Sequence, residues 1–75
     1  MQIRVKLMGI LKDKAPSDGV IELSAEASIE DALGVLDIPV ESVQVFTVNG
    51  KLVRDRTRSL AADDELTVLP PVGGG

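Results

Sequence analysis

The residues with the clearest chemical potential stand at the end of the chain: Leu69-Pro70-Pro71-Val72-Gly73-Gly74-Gly75. Two consecutive prolines restrict φ and favour extended backbone, so they project the residues beyond them away from a folded domain. Three glycines then offer main chain without side chains, able to thread a channel too narrow for any Cβ. The far end of such a strand presents a carboxylate. A carboxylate is inert until activated. An enzyme that adenylates it with ATP makes an acyl-adenylate, which a sulfur or nitrogen nucleophile can attack. The bland alternative is a frayed end or an expression remnant. The rigid proline pair directly after an expected strand favours the chemical reading.

Little else in the chain could do chemistry by itself. It contains no Cys and no His, which removes thiol nucleophiles, zinc-finger ligand sets and imidazole bases. The adjacent acids Glu30-Asp31 and Asp63-Asp64 could in principle bind a metal. Acids at a helix start or in a turn, however, usually serve as caps and solubilising groups. No cofactor site is visible, and no bound cofactor or metal is expected. A chain of 75 residues buries only about 60% of the surface its unfolded form exposes. One core is all it can build, which leaves no room for a large enclosed active site.

Charge narrows the partners. The net charge is −4, which disfavours a phosphate backbone or an anionic membrane. One Phe and no Trp or Tyr leave base stacking without its usual platforms. Residues 15–50 carry seven acids and no Lys or Arg, either a solvated acidic face or a surface for a more basic partner. Lys51, Arg54, Arg56 and Arg58 form the opposite cluster. They can protect a hairpin edge from other strands, or steer an acidic partner. No uncharged run is long enough to span a bilayer. Arg4 and Lys6 interrupt the apolar positions near Met1, so no signal peptide is read there. A cytoplasmic location is expected.

The elements that must position the tail are readable. Gln2 to Leu7 alternates polar and apolar, a strand that buries Ile3, Val5 and Leu7. Gly9 to Gly19 reads as a loop with one helical turn around Ile10-Leu11. Val20 to Leu23 is a second strand, antiparallel to the first. Ser28 caps the one convincing helix, with Asp31 three positions on and an apolar stripe of Ile29, Ala32, Leu33 and Leu36. Pro39 is expected to stop it. Val43 to Val48 is a strand, and Asn49-Gly50 a type I′ turn into Lys51–Arg54. A polar connection over 55–62 carries one apolar anchor, Leu60. Glu65 to Leu69 is the last strand.

A single helix must cover one face of such a sheet. The outline resembles a β-grasp, or ubiquitin-like, fold: an α+β domain with a mixed sheet of about five strands and one main helix packed on one face. An open small barrel accommodates a capped mid-chain helix less well. The expected division is a β-grasp domain over 1–69 and a flexible tail over 70–75.

The run from Leu66 to Gly75 resembles the ending of ubiquitin-like sulfur carriers, particularly the small subunit of molybdopterin synthase. Val48-Asn49-Gly50 and the spacing Leu60…Asp64-Glu65-Leu66 match the same family, so the resemblance covers most of the chain. It departs at Asp63, where the family often has a turn glycine, and at Leu69, where an aromatic is common. The resemblance implies a non-catalytic carrier or small subunit acting as cosubstrate. An E1-like adenylating enzyme would activate the Gly75 carboxylate with ATP, and a persulfide donor would convert it to a thiocarboxylate. The large subunit of molybdopterin synthase, or another sulfur-accepting enzyme, would receive the sulfur. Gly74 would give steric clearance and Gly73 flexibility. Pro70, Pro71 and Val72 would set the exit direction. Leu69 is a docking contact if it faces outward and an ordinary core residue if it does not.

Three other readings remain open on the residues. The chain could serve thiamine synthesis, although that carrier usually has a tight turn between its first two strands. It could be a protein modifier joined to lysines through Gly75. It could also be a β-grasp binding module that never uses its terminus; removing Gly74-Gly75 would then be harmless.

Overall fold

Alternating burial builds the sheet. The computed structural model of the protein describes residues 1–70. In Gln2–Leu7 (β1), Ile3, Val5 and Leu7 are buried while Gln2, Arg4 and Lys6 are exposed, as a period of two requires. Val20–Glu22 (β2), Val45–Val48 (β3), Lys51–Val53 (β4) and Glu65–Leu69 (β5) complete five strands in the order β2-β1-β5-β3-β4. β1 and β5 pair in parallel, whereas every other neighbouring pair is antiparallel. The fold is the expected β-grasp. Its last strand lies in the middle of the sheet.

The helix Ile29–Val35 (α1) buries Ile29, Ala32 and Leu33. These join Ile3, Val48, Leu66 and Val68 in one core, with Leu60 as the anchor of the polar connection. A seven-residue helix is too short to persist alone, and its ends are correspondingly well tied. Ser28 and Asp31 form a reciprocal capping box. The amides of Ile29 and Glu30 donate to the carbonyls of Arg58 and Arg56 at 3.0 and 2.9 Å. The connection over 55–62 therefore closes the start of the helix, a role its polar composition did not announce. Arg56 also reaches Glu30 at 3.1 Å.

Helix termination differs from expectation. The chain turns at Asp37, which has φ +60°, two residues before Pro39. The amide of Ile38 donates to the Leu33 carbonyl at 2.9 Å, and that of Asp37 to Gly34 at 3.2 Å. This is the Schellman arrangement, with Asp in the left-handed position that usually holds glycine. Buried Ile38 and Leu33 supply the apolar contact that accompanies it. Pro39 follows the stop rather than causing it.

Other boundaries shift by a residue or two. The single turn expected near Ile10 is a six-residue 3₁₀ segment, Gly9–Lys14. A second 3₁₀ segment, Val40–Ser42, delays β3 to Val45. Asn49 and Gly50 have φ of +54° and +83°, the signs a type I′ turn requires.

Candidate functional site

The tail grows from the central strand. The Val68 carbonyl accepts from the Met8 amide at 3.2 Å, and the Leu69 carbonyl from the Gln44 amide at 2.8 Å. Pro70 comes next, without an N–H to continue the ladder. It is buried and lies beside Gly9. The sequence reading assigns Pro70 to the tail; in the structure it is buried against the domain. Pro71, Val72, Gly73, Gly74 and Gly75 lie outside the described residues.

Leu69 points away from the helix. It belongs to the face of β5 that carries Glu65 and Thr67, while Leu66 and Val68 are buried on the other. Register places Leu69 opposite Val45, Thr67 opposite Thr47, and Thr47 opposite Leu52. Leu52 is 57% exposed. Leu69, Val45 and Leu52, with the two threonines, thus make an uncovered apolar strip beside the tail's root. Gln44, Val45, Leu52 and Arg54 also line a groove of about 300 Å³. A larger hollow of about 680 Å³ is lined by Glu22, Glu26, Asp31 and Val35, among others. None of its lining residues belongs to β3 or β5, so it is remote from the tail's strand.

The paired acids serve as turn and cap groups. Asp31 accepts from the Ser28 amide at 2.9 Å. Asp64 accepts from the Ala61 amide and from Asn49 Nδ2, both at 2.9 Å. The Ala61 bond leads in holding the Asp64 carboxyl below its ordinary range; burial opposes it, and Asn49 and Arg58 add to the lowering. Asp63 has φ +67°, which gives the departure from a turn glycine its physical meaning. Asp55 is lowered by bonds from the Thr57 hydroxyl and amide. Among the described residues no cluster of acids is placed to hold a metal ion. No described helix is long and apolar enough to cross a membrane.

A model of the ThiS family matches residues 5–75. The chain belongs to the ThiS family. This is the ubiquitin-like sulfur-carrier type that the tail resembles. No curated protein sequence matches the chain significantly. Among solved structures, SAMP1 from Haloferax volcanii superposes with a TM-score of 0.73 at 23% identity, over 100% of both chains. A second structure of that small archaeal modifier protein gives 0.75 at 24%, covering 95% of this chain and 98% of the other. A chain in the complex of subunits 1 and 2 of molybdopterin-converting factor from Helicobacter pylori 26695 gives 0.62 at 20%, over 100% of both. At these identities the likeness is one of fold.

Sequence reading of this ThiS-family chain missed Gly9, Gln44 and Val45 as neighbours of the tail's root. The missing signal was strand order. Once β5 is known to lie between β1 and β3, residues 8–9 and 44–45 must flank its end.

Proposed function

We propose that the protein is a sulfur carrier whose Gly75 carboxylate is adenylated and converted to a thiocarboxylate, for use in molybdopterin synthesis. The observation that carries this reading is a Pro-Pro-Val-Gly-Gly-Gly ending rooted on the central strand of a ThiS-family β-grasp. The Gly75 carboxylate attacks the α-phosphorus of ATP on an E1-like enzyme and releases pyrophosphate. A persulfide sulfur then displaces AMP, forming an acyl disulfide. A second thiol attacks the donor's own sulfur, leaving the thiocarboxylate on Gly75 and a disulfide on the donor side. The carrier supplies no acid or base to these steps. It is a cosubstrate: Gly74 would give steric clearance and Gly73 flexibility, Pro70, Pro71 and Val72 would set the exit direction, and Leu69 would dock the apolar strip against the partner.

Two observations support molybdopterin as the destination. The connection from Met8 to Gly19 is long and contains a 3₁₀ segment, unlike the tight turn of the thiamine carrier. The Helicobacter pylori neighbour is one subunit of a molybdopterin-converting factor, whose partner corresponds to the large subunit expected here. A second reading, conjugation to protein lysines, draws on the resemblance to small archaeal modifier protein 1.

Intact mass after incubation with ATP, an E1-like enzyme and a persulfide donor tests the carrier reading. The expected result is replacement of one oxygen by sulfur at Gly75, lost when Gly74-Gly75 are removed. An unchanged mass, with the enzyme active on another carrier, overturns it. Transfer of that sulfur to a pterin precursor, rather than an isopeptide bond to lysine, separates the two destinations.

A further inference from the structure

We propose that Gly9 is a positioning residue for the tail: its bare Cα is the seat on which the Pro70 ring rests, fixing where the chain leaves the domain. Gly9 comes just after β1 and has φ +58°, a region that side-chain-bearing residues enter reluctantly. A Cβ built on it would stand 3.0 Å from Pro70 Cγ and 3.7 Å from Cδ. Carbon atoms prefer roughly 3.5–4.0 Å, so any side chain at position 9 presses on the ring. No other described glycine has so close a neighbour. A Cβ at Gly19 would meet only the Val5 carbonyl oxygen at 3.8 Å, and Gly34 and Gly50 face open space.

The seat is held on its own side. Met8 donates to Val68, and the Leu11 amide donates back to the Met8 carbonyl at 3.1 Å. Leu11 is buried in the core, which fixes the start of the 3₁₀ segment. Three constraints therefore converge on Pro70: the bond to Val68 from Met8 just after β1, the bond to Leu69 from the segment before β3, and the ring against Gly9. With proline's φ nearly fixed, little freedom remains at the exit point. A glycine here does more than end a strand.

The catalytic consequence rests on the sulfur-carrier reading, but the seat itself does not. The test compares Gly9→Ala, Gly9→Asn, Pro70→Ala and the double variant Gly9→Ala/Pro70→Ala, each checked for folding by circular dichroism. Asn accepts left-handed φ better than Ala, so Gly9→Asn keeps the intruding Cβ with less backbone strain. In ATP–pyrophosphate exchange with an E1-like enzyme, both Gly9 variants are expected to lower kcat by about 10- to 100-fold. KM stays near the wild-type value, because the outer strip is untouched. Adding Gly9→Ala to Pro70→Ala is expected to change nothing further. Wild-type kcat in a folded Gly9 variant, or effects at the two positions that simply multiply, overturns the proposal.

A nitroxide on Gly73→Cys, in a chain with no other cysteine, reads the seat without the enzyme. Its broadening of domain amides is expected to redistribute in the folded Gly9 variants; an unchanged pattern also overturns the proposal. If the wild type is not adenylated, the carrier reading fails while this second measurement still decides the seat.

Discussion

Asn49 and Asp64, fifteen residues apart, are joined by a 2.9 Å hydrogen bond from Nδ2 to Oδ1. Asn49 Oδ1 also accepts the Glu65 amide at 2.9 Å, and the Asn49 amide donates to the Glu65 carbonyl at 2.8 Å. The β3–β4 turn is thereby fastened to the entrance of β5. Asn49 has two tasks, since its backbone must also adopt the left-handed conformation of the turn. Asn49→Ala loses both side-chain bonds and is expected to cost about 1–2 kcal/mol, read from the urea midpoint at unchanged slope.

Asp64 adds a pH dependence. Its carboxyl is held below the ordinary range, so the unfolded chain takes up its proton first on acidification. The stability it contributes is complete above the unfolded-state value and disappears as pH falls through the lower folded-state value. Asp64→Asn is expected to melt lower than wild type at neutral pH. It should then lose less stability in acid, so thermal melts at the two pH values converge. Parallel curves would remove Asp64 from the acid response.

Asp37 offers a test in the stabilising direction. It occupies the left-handed position of the helix stop and faces solvent, with Lys14 3.7 Å away. An exposed pair of that kind contributes little, whereas a glycine adopts the backbone conformation without strain. Asp37→Gly is expected to gain about 0.5 kcal/mol, and Asp37→Ala to lose about 1 kcal/mol. Chemical denaturation of the two variants gives shifts of opposite sign.

Leu52 separates docking from folding. It is the most exposed leucine of the outer strip, and Leu52→Ser is expected to change stability by no more than about 0.5 kcal/mol. On the proposed carrier reading it raises KM for the adenylating enzyme and leaves kcat in place, the reverse of the Gly9 variants. Steady-state exchange kinetics distinguish them.

Much of the fold was legible because its signals are local. Period-two burial marks β1 and β5, Asn49-Gly50 marks the hairpin, and Ser28 with Asp31 marks the helix start. The stop at Asp37 was misread, because nothing in Leu36-Asp37-Ile38 announces an aspartate in a glycine position. The tail was legible as a candidate from composition alone, two prolines and three glycines within the last six residues. Its seat was not. Gly9 and Pro70 are 61 positions apart in the chain, and only the parallel pairing of β1 with β5 brings them together.

That pairing also gives the last strand the closing role in folding. Until β5 docks, β1–β2 and β3–β4 are separate two-stranded ribbons with no strand between them. Such ribbons are marginal in water, and each presents an unpaired inner edge to other chains. The chain therefore stays open to misassociation until its last strand docks. Arrival of the middle strand closes both edges in one step.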